Sequence, residues 1–452
     1  MTGREHFGSR AAVIMAMAGS AIGLGNIWRF PFIVGEYGGA AFILIYIACC
    51  FLLSLPILLS ESIIGRRTHQ NTFGAMNTLA PGTKWKWLGL LTIVTPVIIL
   101  SYYSVVGGWS FAFLCKAATL QFKPEHVGEV TGMFSKFSSS SWGPLACLFM
   151  FLGFTSLIVF SGVKNGIERF SKISMPVLFV LIVVIAVYSV TLPGAMEGVK
   201  YLVKPDFSKL TTDAFSAALG QSFFSLSLGV GTMLIYSSYV KKEENIVVSG
   251  TGTALFDMLF AILAGFAVMP AVFAAGIAPS SGPGLVFETL PFIFAKMGAG
   301  GWFVSSAIAI LFFLTILVAA LSSSISMMEV CVAYLVEEKG ISRHKATAGI
   351  FAVSLVLGIL CSLSFGRLSG FHLLGNTIFN FCDKLCSNFL MTLGALLFCI
   401  FVGWKMDKAA VRDELTNGGT LKTNSKIFPF VYFLIKYIAP LVIAAIFITG
   451  LL

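Results

Sequence analysis

The sequence predicts an all-α polytopic membrane protein of eleven transmembrane helices, arranged as a 5+5 inverted repeat with broken first and sixth helices. Three observations carry that class. Of 452 residues, 57% are hydrophobic and only 11% charged, against about 25% charged in a soluble domain. Eleven apolar runs reach spanning length; they begin near Ala11, Ala40, Trp87, Gly143, Met175, Asp213, Ser249, Trp302, Ala346, Asn376 and Ile427. Two of these runs, the first and the sixth, carry glycine and hydroxyl residues where an ordinary membrane helix would be Leu, Ile and Val.

The first run reads Gly19-Ser-Ala-Ile-Gly-Leu-Gly-Asn-Ile-Trp-Arg-Phe-Pro31. Its three glycines weaken the helix, and Asn26 and Arg29 add polar groups that hydrocarbon does not solvate. Backbone that unwinds at membrane depth is tolerated only when buried in protein or lining a wet cavity. The second run ends near Glu61, a carboxylate placed either to titrate or to tether N–H groups freed by an unwound helix. The third holds the phenols Tyr102 and Tyr103, which need partners in an apolar setting. The fourth and fifth complete a first half. The sixth, Gly220-Gln-Ser-Phe-Phe-Ser-Leu-Ser-Leu-Gly-Val-Gly231, repeats the interruption. Five is an odd number of spans, so the second half enters the bilayer with opposite polarity. Paired broken helices in inverted halves point to a transporter's binding site. The halves are expected at about 8–192 and 208–404, within one transmembrane domain over 1–452, with an additional eleventh span at about 427–450.

The seventh run contains Asp257, and an ionisable residue inside a span is a functional candidate by default. The eighth contains Ser322-Ser323-Ser324 and Glu329, the last with no obvious partner and read as facing internal water. Ser324 and Ser326 read as helix packing, since small residues favour close contacts between membrane helices. Arg29 and Asp383, toward the external ends of spans one and ten, form either a fixed structural pair or a gate. The stretch Pro279–Gly284 reads as part of a folded external loop, and the polar loop around Asn417–Thr420 as mobile.

Orientation follows from the basic residues. With the N-terminus cytoplasmic, nineteen Lys and Arg fall inside and eight outside, with Arg29, Lys384 and Lys436 within spans. The C-terminus then faces out, in a multi-pass protein of the cell (cytoplasmic) membrane. The net charge of +10 is largely topology and calls for no nucleic acid. Nine cysteines, most of them within spans, behave as small apolar residues. Arg4, Arg10 and the apolar run to Ala18 imitate a signal peptide, but cleavage there would remove the start of a span that the rest of the chain needs.

No catalytic constellation and no GxxxxGK[ST] phosphate loop is present, so neither an enzyme nor an ATP-driven machine is expected, and no organic cofactor. Unwound carbonyls, the Asn26 amide, Ser225, Ser227, Asp257, Ser322 and Ser323 form instead an oxygen set suited to a hard cation. The expected partners are a charged solute, a small cation and the lipid bilayer; oligomeric state is left open.

These two interrupted motifs, with Gly282-Pro-Gly-Leu-Val-Phe-Glu-Thr-Leu-Pro291, resemble the neurotransmitter:sodium symporter family, and most of all its bacterial amino-acid branch of eleven-span type. The resemblance implies two Na+ ions. Sodium site one would comprise Ala21, Asn26, Ser225, Asp257 and the substrate's carboxylate; site two would comprise Gly19, Ile22, Ala319, Ser322 and Ser323. It implies an amino-acid site formed by Ala21, Leu24, Gly25, Ile99, Tyr103, Phe224, Ser225, Ser227, Val230 and Met327. Phe224 and Tyr103 would be the lid, Arg29 and Asp383 the external gate, and Arg4, Tyr239 and Glu337 the internal latch.

Some positions depart from the family. Gly23 stands where the monoamine branch has Asp, which favours a substrate that brings its own carboxylate. Asp257 stands where chloride-dependent members have Asn, and Ala261 where they have Ser, although Tyr46 and Gln221 match the chloride site. A fixed carboxylate would replace the anion, so transport without chloride is expected. Phe7 replaces the internal Trp, and Glu337 the Asp. Val230, between two glycines, leaves room for a sizeable apolar or aromatic substrate, and Met327 can repack around it. The expectation is a sodium-coupled secondary symporter that imports an amino acid by alternating access. The alternatives are a proton-coupled carrier on the same fold and a non-transporting amino-acid-binding membrane sensor.

Overall fold

The computed structural model describes residues 6–122, 127–130, 132–277, 286–297 and 302–449. Among these residues, nine helices are long and apolar enough to cross a bilayer: Ala40–Thr68, Lys86–Ala118, Trp142–Phe160, Val163–Val190, Ile246–Ala274, Phe303–Lys339, Arg343–Leu363, Ile378–Lys405 and Lys422–Ile448. A bent pair, Arg10–Ala21 and Gly25–Glu36, turns by 55° at a short break and forms a further span. The sixth apolar run folds as Thr212–Ser225 and Thr232–Ser238 around a non-helical stretch, each piece too short to pass alone. The expected count of eleven is reached only when that pair is taken as span six, as it is below.

Each break has a local cause. Ser9 caps the first helix through the Ala12 N–H (3.2 Å), and the helix stops at Ile22, whose ψ of 109° is extended. The chain then resumes as a π-helical turn over Gly25–Arg29. In span six, Ser227, Gly229 and Gly231 all take positive φ, at 51°, 80° and 76°. Gly229 has a second reason to be glycine: a Cβ there would strike the Met391 carbonyl of span ten, and one at Gly394 would strike the Gly229 carbonyl. The two backbones touch because neither residue has a side chain.

Span five starts earlier than the apolar pattern suggests, at Val163 rather than near Met175, because charged residues obscure its first turns. Glu168 there is buried, paired with Lys172 at 2.6 Å and accepting the Gly8 N–H at 3.2 Å. The loop around Asn417–Thr420, expected to be mobile, follows a helix that its polar surroundings conceal. Lys408–Thr416 is a helix, and Asn417 closes it in the left-handed region with φ 46°. The fully buried Arg66 of span two donates through Nε to the Glu414 carboxylate at 2.8 Å, through Nη2 to the Glu414 carbonyl and through Nη1 to the Glu244 carbonyl at 2.5 Å. A polar sequence conceals an anchored element. Before span ten, His372–Leu373 and Asn376–Thr377 pair as a two-stranded antiparallel hairpin. Arg4 and the Pro279–Gly284 stretch lie outside the described residues.

Candidate functional site

The unwinding of span one redirects five main-chain groups. In a continuous helix the N–H groups of residues 23, 24 and 26 would serve the carbonyls of Gly19, Ser20 and Ile22. Here the Gly23 N–H donates to Asn26 Oδ1 (3.0 Å) and the Leu24 N–H to the Tyr103 hydroxyl (3.1 Å). The Asn26 N–H turns back to the Gly23 carbonyl (3.2 Å). The released Ser20 carbonyl accepts from Ser227 (3.2 Å), and the Ile22 carbonyl accepts from both Ser322 and Ser323 (3.2 Å each). A buried carbonyl needs a partner, and in each of these two cases the partner comes from another span.

Two oxygen clusters result. In the first, Asn26 Nδ2 lies 2.9 Å from Ser225 Oγ, 2.7 Å from Asp257 Oδ1 and 3.2 Å from the Asp257 carbonyl. Ser225 Oγ donates to Asp257 Oδ2 at 2.8 Å. Asp257 is fully buried, and among the described residues no Lys, Arg or His lies within ion-pair distance of it. A buried carboxylate without a cation is costly, so this cluster favours a small positive ion. In the second cluster, Ser322 bridges the Ile22 and Ala319 carbonyls, at 3.2 and 2.8 Å, with Ser323 beside it. Gly19 is buried one turn earlier, packed against Ser171 and Met175 of span five. Ser324 bonds Thr155 at 2.8 Å and Ser326 the Ser323 carbonyl at 2.8 Å, both as packing contacts between or along helices.

Between the clusters lies a cavity of about 30 Å³ lined by Ala21, Gly23, Gly25, Ile99, Tyr103, Phe224, Ser227, Val230, Ser323, Met327 and Met391. That volume accommodates water rather than a large side chain, so admission of a sizeable solute requires Phe224 and the two methionines to move. Eight of the ten residues expected to contact substrate line it. Leu24 does not line it, its main-chain N–H being bonded to the Tyr103 hydroxyl, and Ser225 is held in the first cluster. Met391 was missed because span ten gives no pattern that marks it. Gly23 also lines the space: a Cβ there would meet Ser323 Oγ and the Tyr103 hydroxyl. The Gly25 carbonyl accepts from Gln221 Nε2 at 2.9 Å.

Glu61 performs tethering, accepting the Gly229 N–H at 2.7 Å and the Leu234 N–H at 3.4 Å, both freed by the break in span six. Arg29 and Asp383 form no ion pair here. The Arg29 guanidinium lies over the Phe224 ring, 5.0 Å from its centroid, which gives that ring a cationic cover.

On the side expected to be internal, the reading of Glu329 needs correction. It is buried and tightly bound, not hydrated: Arg343 approaches it at 2.5 Å, and the Tyr239 hydroxyl donates to it at 2.8 Å. Its partner begins span nine, fourteen residues along the chain, a separation that no local pattern reveals. Glu337 accepts from the Asn71 N–H and Nδ2 at 2.8 and 3.0 Å. Phe7 packs edge-on against Tyr236 and Tyr239, each ring 6.0 Å away.

A bundle with two interrupted spans face to face, their loosened carbonyls flanking a small cavity and a buried carboxylate, defines a secondary transporter of the membrane. The profile of the sodium:neurotransmitter symporter family matches residues 4–129 and 117–452. The sodium-dependent transporter YhdH of Bacillus subtilis, itself uncharacterized, is 39% identical over 97% of this chain and 96% of its own. An uncharacterized sodium-dependent transporter of Haemophilus influenzae is 35% identical over 99% and 98%. Among solved structures, MhsT in complex with L-phenylalanine superposes with a TM-score of 0.90 at 40% identity, covering 99% of this chain and all of that one. The chain belongs to the sodium:neurotransmitter symporter family.

Proposed function

We propose that this symporter imports a sizeable apolar or aromatic amino acid together with two sodium ions, without chloride. The observation that carries the reading is Asp257, a buried carboxylate without a basic partner among the described residues, held by Asn26 and Ser225 beside the cavity. A sodium ion placed there would compensate it, and the substrate's carboxylate, near Ala21 and the Tyr103 hydroxyl, would complete the ion's shell. Each ligand then strengthens the other, and such coupling is reciprocal. Site two, built on Gly19, Ile22, Ala319, Ser322 and Ser323, would fix the break in span one to span eight.

The substrate class rests on the lining: Ile99, Phe224, Val230, Met327 and Met391 are apolar, and Gly23 leaves no side-chain acid to receive an amine. Phenylalanine in the related MhsT structure supports the same class. Independence from chloride rests on Asp257 supplying the negative charge, with Ala261 offering no hydroxyl. The halves are proposed at about 8–192 and 208–404, with the N-terminus cytoplasmic and the C-terminus external. Arg29–Asp383 would close the outer path, and Arg4, Tyr239 and Glu337 would join Glu329 and Arg343 in closing the inner one.

The test is uptake of radiolabelled phenylalanine into proteoliposomes under an imposed sodium gradient, in gluconate and in chloride, competed by each common amino acid. Sodium-driven uptake, equal in both anions and competed best by large apolar amino acids, is expected. Uptake that persists when potassium replaces sodium at fixed pH would indicate a proton-coupled carrier. Binding in detergent without uptake would indicate a sensor.

A further inference from the structure

Lys436 of span eleven is a cation whose surroundings the transport reaction does not explain. Its ammonium lies over three aromatic rings, 4.8 Å from the Trp404 centroid, 5.6 Å from Tyr437 and 5.8 Å from Tyr432. All three are within cation–π range, and among the described residues no carboxylate pairs with it. The site is built, not incidental. Trp404 Nε1 donates to the Lys436 carbonyl at 2.9 Å and the Tyr432 hydroxyl to the Gly403 carbonyl at 3.1 Å. A Cβ on Gly403 would strike Lys436 Cα, so the glycine brings span ten's backbone against the lysine.

More positive charge gathers at the same end of the two spans. Lys408 lies over the Tyr432 ring at 5.5 Å, so this ring carries an ammonium from each of two lysines, and Lys405 closes span ten one residue after Trp404. The nearby acid, Asp407, accepts the Ala409 N–H and caps its helix. Outward from this basic group the surface is apolar: Trp404 is 61% exposed, Phe433 49%, Tyr437 47% and Leu441 70%. The patch thus has positive charge level with the end of span ten, with Tyr437 and Leu441 exposed beyond Lys436 along span eleven and Phe433 one turn before it.

We propose that this face binds an anionic phospholipid, its phosphate against Lys436, Lys405 and Lys408 and one acyl chain along Tyr437 and Leu441. The occupant is set by charge complementarity and by place. Basic pockets between membrane helices recruit anionic headgroups, and a lipid offers phosphate and hydrocarbon in one molecule. In a zwitterionic lipid the choline already neutralises the phosphate, which leaves the lysines uncompensated.

Trp404 supplies a readout inside the site. In vesicles made with bromine-labelled acyl chains, quenching of Trp404, isolated as the difference between wild type and Trp404→Phe, reports the local lipid. Phosphatidylglycerol should be preferred over phosphatidylcholine by about fivefold for each lysine engaged. Lys436→Gln should lose part of that preference, Lys405→Gln with Lys408→Gln a further part, and Lys436→Arg should keep it. Sodium-driven uptake by each variant verifies its fold. Equal quenching by the two lipids in the wild type would overturn the proposal without any variant being needed, as would an unchanged preference in a folded Lys436→Gln protein.

Discussion

The role given to Asp257 rests on two oxygens and an absence of basic partners. Each oxygen accepts one hydrogen bond, from Asn26 Nδ2 and from Ser225 Oγ, and Asn would retain the shape while removing the charge. Asp257→Asn should therefore slow sodium-driven uptake by about tenfold or more, equivalent to about 1.4 kcal/mol or more, and chloride should restore part of it. Equal uptake by wild type and variant in gluconate would remove the carboxylate from the ion site. Gly23 carries a second prediction at this scale. Its absent side chain leaves room for the Tyr103 and Ser323 hydroxyls, so Gly23→Ala overpacks the cavity at a cost of about 1–3 kcal/mol. Substrate affinity, measured by equilibrium binding with saturating sodium, should fall by about 5- to 100-fold, and the thermal unfolding midpoint should fall with it.

For individual elements, what was legible in the sequence depended on whether a residue's partner was implied by local chemistry. Gly229 and Gly231 mark the break in span six, and tethering its freed N–H groups is one of the two roles the sequence leaves open for Glu61, because unwound backbone in a membrane must be satisfied somewhere. The nonlocal partners were hidden. Nothing near Arg66 indicates Glu414, 348 residues away, and the polar composition around Asn417 gave no sign of the helix before it. Likewise the start of span five was lost under charges that are satisfied only by folding, and Met391 enters the cavity through a span with no marking pattern. Gly229→Ala should lower the thermal unfolding midpoint, since it combines positive φ with a collision against the Met391 carbonyl. The larger loss belongs to Glu414→Ala. It leaves the Arg66 guanidinium buried and uncompensated, which costs about 3–5 kcal/mol, whereas Arg66→Met with Glu414→Leu should recover most of it. A single mutant as stable as wild type in detergent would show that the helix is not anchored by this pair.

Across the whole molecule, the two faces are held unequally. On one side Arg343, Glu329 and Tyr239 tie spans nine, eight and six, Glu337 holds Asn71, and Arg66 clasps Glu414. On the other, Arg29 covers Phe224 without pairing with Asp383. On the proposed reading, alternating access requires the Arg343–Glu329–Tyr239 contact to release as Arg29 and Asp383 close, and the cost of release is set by buried charge. Removing one partner of such a pair costs about 3–5 kcal/mol, close to the roughly 5.5 kcal/mol that carries a two-state equilibrium from 1:99 to 99:1. Arg343→Ala removes the closed state's pair and leaves the Glu329 carboxylate to gain water on opening, so the population should shift toward the form open on that face. Hydrogen exchange read by mass spectrometry should accelerate in residues 6–22 and 232–246, and saturating sodium should protect them less than in the wild type. Unchanged exchange in both segments would show that the contact among spans six, eight and nine follows closure without enforcing it.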